Sequence, residues 1–374
     1  MNMKLTMETN VVLYRKYRPQ SFGEIIGQQH VVQTLVNAVN ANTISHAYLF
    51  TGPRGSGKTS IARIFAKAIN CENTKNAEPC NVCSSCTEIM GSGAIDLVEV
   101  DAASHTGVDE VRELISGIQF SPAKSKYKIF IIDECHQLSK SAANALLKTL
   151  EEPPAHAIFM LATTEAHKMI PTIISRCQRF DFKRLQVAEI IQKLEFILKK
   201  EGIKADPAAL SLIALNARGS FRDAESLLDK CINFVGQDGK LDVKEIKELL
   251  GIVDVSIISN FIDLLILKNT KEAIVTINQL AEGGTDLQEF AKTLVFYVRE
   301  MMLLKINPES LNPQNSGFST QEITTLQQQA GKLSEKEIQQ MLELFIDAEN
   351  KMKYAVILQL PLELAIIDIT HKES

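Results

Sequence analysis

Three groups of residues have types and spacings that could do chemistry. Gly52, Pro53, Arg54, Gly55, Ser56, Gly57, Lys58 and Thr59 run in the order G-x-x-x-x-G-K-T. In that order the glycines let backbone N–H groups curl round a β-phosphate at the start of a helix, where the helix dipole also favours an anion. Lys58 then bridges β- and γ-phosphates, and Thr59 offers its hydroxyl to Mg²⁺. The second group is Asp133 and Glu134, which close the apolar run Ile129, Phe130, Ile131, Ile132. In a parallel sheet, ligands sit off the carboxyl ends of strands, so Asp133 can hold Mg²⁺ and Glu134 can orient an attacking water. Alone, two acids at a strand end are as readily a solvated turn. Downstream of a phosphate loop they complete a nucleotide site.

The third group is Cys71, Cys80, Cys83 and Cys86, four of the chain's 7 cysteines. Two short C-x-x-C steps after a longer one suit a closed tetrahedral Zn²⁺ site of four thiolates. Asn81, Val82, Ser84 and Ser85 permit the tight turns between them. The Cys-Pro ending of ferredoxin runs is missing, which ranks an iron–sulfur cluster below zinc; redox cysteines are the remaining alternative. A closed site has no open position, so its role is structural. Cys135, Cys177 and Cys231 read as small apolar core groups, and an odd total does not suit a disulfide framework.

The hydrophobic pattern supplies a scaffold for these groups. His46–Thr51 reads as a buried strand entering the glycine-rich turn, with a helix from Lys58 to Asn70 behind it. Asp96–Asp101, Lys128–Asp133, Ala157–Thr163 and Cys177–Phe182 read as further strands. Val108–Ile118 and Ser141–Glu152 read as helices between them, the second stopped by Pro153 and Pro154. Alternating strands and helices predict an α/β domain with a five-stranded parallel sheet covered on both faces. Beyond Lys183 the period is helical and no convincing strand remains. Asp206 before Pro207, and Ser220 ahead of Asp223, mark helix starts. Gly202, Gly219, Gly236 and Gly239 punctuate a small helical unit ending near Gly251. A second all-helical unit follows, with helices near 255–268, 271–282, 286–305, 320–331, 335–353 and 356–370 and a loop over Asn307–Gly317. The predicted division is 1–183, with the cysteine insertion at about 71–90, then 184–250 and 251–374.

The chain has 374 residues, 45% apolar and 23% charged, as expected of a soluble globular protein of two or three domains. The first twenty residues hold no secretory signal, and no apolar run of about 18 residues occurs, so the expectation is a cytoplasmic protein with no membrane segment. A net charge of −5 argues against a uniformly basic coat for nucleic acid and leaves room for a local basic surface inside an assembly. The absence of Trp and the 6% of aromatics also argue against a sequence-tolerant stacking platform for single strands.

Several motifs taken together resemble one family. They are Tyr14 to Gln28 (YRKYRPQSFGEIIGQ), the phosphate loop with its four-cysteine insertion, Asp101-Ala102-Ala103-Ser104 and Asp133-Glu134-Cys135-His136. Ala145 to Pro154 (ALLKTLEEPP), Leu161 to Thr164 (LATT), Ser175-Arg176-Cys177 and Gly219 to Asp223 (GSFRD) complete the set. Over about residues 11–230 the sequence is similar to the gamma/tau family of bacterial DNA polymerase III, the AAA+ ATPases of the replicative clamp loader. The resemblance implies an AAA+ domain, a helical lid and a helical collar that holds a hetero-oligomeric ring together. It implies ATP, Mg²⁺ and Zn²⁺ as cofactors, with the other loader subunits, a sliding clamp and the backbone of primer–template DNA as partners. Nucleotide binding would fall to Gly52 through Thr59, Ser60 and Arg222. Catalysis would fall to Lys58, Asp133, Glu134, Thr164, Arg176 and Arg222. Thr164 would be sensor 1, with Thr163 as the neighbouring alternative. Arg176 would be an arginine finger for the adjacent subunit, and Arg222 would be sensor 2 in its own. Tyr17, Arg18 and Pro19 are read either as part of the adenine pocket or as an extended arm. Lys148 and Thr149 are read as DNA-backbone contacts or as a solvated helix face. His136 is read as a helix-start residue. The enzymatic alternative is a DExH-type nucleic-acid helicase, which needs a second α/β half. The non-enzymatic alternative is a ring subunit that binds nucleotide only statically.

Overall fold

The structure, a computed structural model, describes residues 11–91, 93–104, 117–235, 239–249, 251, 254–311 and 318–371. The chain divides into two compact units: residues 1–203 with 213–233, and residues 204–212 with 234–374. In the first, β1 (Ala47–Thr51), β2 (Leu97–Asp101), β3 (Lys128–Asp133), β4 (Ala157–Thr163) and β5 (Gln178–Asp181) form one parallel sheet in the order β2-β3-β4-β1-β5. Every residue of β1 and β4 is buried. Strands covered on both faces need unbroken apolar runs rather than alternation, and Ile158 to Leu161 is such a run. Tyr48, Phe50, Phe65 and Met160 fill one face, and Leu49, Phe130, Leu146 and Phe159 the other.

Register fixes the functional edge. Thr51 pairs with Thr163, and Asp101 pairs with Asp133, so the polar strand ends lie level at the carboxyl edge. The helices of this unit are α1 (Leu13–Lys16), α2 (Gln29–Asn40), α3 (Lys58–Asn70), α4 (Ser84–Met90), α5 (Lys140–Glu151), α6 (Pro171–Ile174) and α7 (Val187–Glu201). Farther along run α8 (Pro207–Asn216) and α9 (Phe221–Val235). Ser220 caps α9 by accepting from the Asp223 N–H at 3.2 Å. The expected helix 108–118 lies, except for its end, outside the described residues.

Beyond 183 one expectation needs correcting. Lys204–Ala205 (β6) and Lys240–Leu241 (β7) pair in parallel. Two residues are too few for any period-2 signal. Among the described residues the elements that follow are helices: α10 (Val243–Leu249), α11 (Val255–Ile266), α12 (Thr270–Glu282), α13 (Leu287–Ile306), α14 (Thr320–Lys332), α15 (Glu335–Met352) and α16 (Leu360–His371). The α11–α16 core gathers Phe261, Phe290, Tyr297 and Phe345. Its buried Tyr297 hydroxyl donates to Gln329 Oε1 at 2.7 Å, leaving no orphaned polar tip. Ser319 and Ser334 start α14 and α15 with reciprocal capping boxes. Among the described residues no helix is long and apolar enough to cross a membrane.

Candidate nucleotide site and metal centre

The loop between β1 and α3 has the backbone its glycines allow. Gly52 has φ +146°, and a Cβ there would stand 2.5 Å from the Phe182 carbonyl. Gly55 has φ +71°, and a Cβ there would meet Ser220 Oγ at 2.0 Å. Its carbonyl accepts from the Phe221 N–H at 3.0 Å, so the loop and the start of α9 are in direct contact. Arg54 through Ser60 line a cavity of about 320 Å³ together with Asp133, Glu134 and Arg222. Gly52 and Pro53 do not line it. Their carbonyls lie behind, each accepting from Lys58 Nζ at 2.9 Å. Lys58 is buried, and burial holds its ammonium below the ordinary lysine range, opposed by Glu134 and Asp133.

The acidic pair arrives from β3. Asp133 Oδ2 accepts from Thr59 Oγ1 at 2.7 Å, joining the two predicted Mg²⁺ ligands. Glu134 adopts φ +47°, and its Oε2 accepts from Thr164 Oγ1 at 2.8 Å and from the Thr164 N–H at 3.2 Å. Thr164 therefore meets the cavity through Glu134. Thr163 is fully buried and lies 2.9 Å from His136 Nδ1 through its hydroxyl. The ring of His136 is also 3.4 Å from Glu134 Oε2, a contact that reading it as a helix start did not anticipate.

Arg222 Cζ stands 5.1 Å above the Tyr14 ring, a cation–π distance. Arg18 and Pro19 line the cavity, whereas Tyr17 does not; its hydroxyl donates to Glu201 at 2.6 Å. Arg176 is not brought to the cavity of its own chain. It pairs with Glu151 at 2.6 Å and donates to the Thr172 carbonyl at 2.9 Å. Lys193 and Glu225 also line the cavity, and sequence reasoning missed both. Their side chains approach to 3.8 Å, and both are buried. Burial pushes Glu225 up to about 7 and Lys193 down, so desolvation outweighs their mutual attraction. A signal existed: Lys193 falls on the apolar stripe of α7 beside Ile190, Leu194 and Ile197.

The four predicted cysteines converge. Their Sγ atoms all lie within 4.8 Å of one another. Four thiolates at about 2.3 Å from one tetrahedral ion stand about 3.8 Å apart, so the group fits zinc with small closure. Backbone N–H groups of Val82 and Cys83 pull Cys80 down to about 6, the thiolate character a ligand needs. Cys86, fully buried, is pushed up by desolvation. Part of the insertion is not loop: α4 supplies Cys86.

A parallel sheet with β1 next to both β4 and β5, a phosphate-type loop at its edge and a level pair of strand-end acids define a P-loop domain of the AAA+ class. Residues 27–186 match the DNA polymerase III delta subunit family, 189–237 the DNA polymerase III clamp loader subunit ATPase lid domain, and 241–374 domain III of DNA polymerase III subunits gamma and tau. The DNA polymerase III subunit gamma of Buchnera aphidicola is 35% identical, over 96% of this chain and 98% of its own length. The tau subunit of Bacillus subtilis is 47% identical over 79% of this chain, and that of Escherichia coli 42% over 80%. The chain belongs to the gamma/tau family of DNA polymerase III. It spans about half the length of the two tau subunits, 52% and 46%. Among solved structures, the RuvB Holliday junction branch migration motor of Thermotoga maritima aligns with 67% of this chain and 79% of its own at 20% identity and a TM-score of 0.49. Among the described residues beyond 184 there is no second α/β half, so the helicase alternative is not favoured.

Proposed function

We propose that the chain is the ATPase subunit of a replicative clamp loader, binding and hydrolysing ATP to open a sliding clamp and place it on primed DNA. The observation that supports this best is the Thr59–Asp133 hydrogen bond beside buried Lys58, in a chain of the gamma/tau family. Lys58 exchanges the Gly52 and Pro53 carbonyls for β- and γ-phosphate oxygens, and the N–H groups of Arg54 to Ser60 cradle the rest. Thr59 and Asp133 hold Mg²⁺, which neutralises phosphate charge. Glu134 orients the attacking water, and Thr164, bonded to Glu134, sets that carboxylate's direction. Arg222 stabilises phosphate charge from its own chain, and Arg176 does so in the neighbouring subunit. Cys71, Cys80, Cys83 and Cys86 hold a structural Zn²⁺. Residues 1–183 form the nucleotide domain, 184–250 the lid and 251–374 the collar of a hetero-oligomeric ring acting in the cytoplasm.

ATP turnover measured with the partner loader subunits tests this directly. It should rise when sliding clamp and primed DNA are added together. Stimulation by DNA that needs no clamp, with strand separation, would favour a helicase. No turnover under any condition would leave a static ring subunit.

A further inference from the structure

The cysteine insertion is tied by two independent contacts to the segment that walls the cavity. Lys75 and Glu78 pair across a tight turn in which Asn76 and Ala77 have φ +51° and +65°. A left-handed alanine is strained, and strain of this kind persists where the surrounding structure demands it. The turn delivers Glu78, whose carboxylate accepts from the Phe22 N–H at 2.9 Å and the Gly23 N–H at 2.7 Å. The second tie is Lys67, 2% exposed, which donates to Gln20 Oε1 at 2.9 Å and to Asn81 Oδ1 at 2.7 Å. Asn81 stands between Cys80 and Cys83, so Lys67 links the ligand loop to residue 20. The segment so held has little structure of its own. Between α1 and α2 it contains one short turn of 3-10 helix, Phe22–Glu24, and side-chain ties must fix the rest. Pro19, Ile25 and Ile26 of this segment line the cavity. On the proposed reading Arg54 to Ser60 take the phosphates, and Pro19, Ile25 and Ile26 are among the apolar side chains left to face the base.

We propose that the four-cysteine lobe positions the base-side wall of the nucleotide cavity, with Glu78 and Lys67 as the positioning residues. Nucleotide affinity is thereby coupled to an intact metal centre. The inference rests on the nucleotide reading above. Its signature is selectivity: loosening the wall weakens ATP but spares inorganic tripolyphosphate, which needs only the phosphate loop.

The test is equilibrium binding of a fluorescent ATP analogue to the full chain, with tripolyphosphate as competitor and zinc content measured alongside. Glu78→Ala should keep its zinc and its tripolyphosphate affinity within about twofold. It should lose about tenfold in affinity for the ATP analogue, the scale of one charge-assisted hydrogen bond. Glu78→Gln, which keeps an acceptor and the side-chain shape, should fall between and serves if the alanine variant does not fold. Cys83→Ser, by losing the metal, should reproduce the same selective loss. Unchanged ATP affinity in Glu78→Ala, or a parallel fall for both ligands, would overturn the positioning role. Unchanged ATP affinity in a zinc-free Cys83→Ser chain would overturn the coupling. An unaltered chain that binds neither ligand would bring down the nucleotide reading itself.

Discussion

Lys58 and Glu134 share one cavity, yet their losses should differ in kind. On the proposed function Lys58 contacts phosphates already present in the ground state, whereas Glu134 acts on the water that attacks. Lys58→Ala should therefore abolish saturable ATP binding. Glu134→Gln should leave binding intact and slow hydrolysis by about 10²-fold or more, read by comparing nucleotide titration with single-turnover rates. Glu225 makes a different prediction, because burial raises its carboxyl to about 7. A raised carboxyl pKa means that the folded chain holds a proton which the unfolded chain has released. The contribution is thus favourable below about pH 4.5 and lost as pH rises toward and through 7. Glu225→Gln removes the buried charge and should stabilise the fold at pH 8 relative to the unaltered chain, by on the order of 1–3 kcal/mol, with little gain at pH 5. Denaturant titrations at the two pH values decide it. At this scale the sequence was a good guide to which residues come together: Thr59 meets Asp133, Lys58 lines the same cavity and the four cysteines converge. Lys193 and Glu225 escaped because their importance comes from being buried face to face, and separation along the chain conceals that meeting.

The elements explain why the site is where it is. β1 and β3 each end at the carboxyl edge, so one sheet presents Gly52 and Asp133 together, and α3 starts at Lys58 because Gly57 takes φ +97°. Apolar runs made these strands legible nearly to the residue; Lys128–Asp133 and Ala157–Thr163 are observed as expected. Strand order was not legible, because every strand of a parallel sheet carries the same signal. β6 and β7 were missed because two residues have no period. The cysteine lobe contributes few large apolar side chains, and the proposed metal should hold it together. Elemental analysis of the folded chain should return about one zinc. Iron with visible absorbance, or a folded chain without metal, would contradict the four-thiolate assignment. A chelator should unfold the lobe while the sheet persists, seen as loss of protection in residues 71–90 with β3 and β4 unchanged.

On the scale of the whole molecule the cavity is incomplete in one respect. Every predicted phosphate-binding group from Arg54 to Ser60 lines it, and so does Arg222, but Arg176 is held away by Glu151 and the Thr172 carbonyl. A half-exposed arginine on a short helix end is ordinarily a surface ion pair of little consequence. In the proposed ring it would be the group that one chain supplies to the next, and a finger of this kind contributes on the order of 10³–10⁵ in rate because it acts on charge present only in the transition state.

Complementation between two defective chains tests that shared site most directly. Arg176→Ala should bind ATP normally and hydrolyse it slowly, having a good pocket and no finger. Lys58→Ala has a good finger and an empty pocket. When the two are mixed and assembled with the partner loader subunits, some interfaces set an intact finger against an intact pocket, and part of the ATPase activity should return. Assembled mixtures as inactive as either parent would contradict a finger acting between subunits.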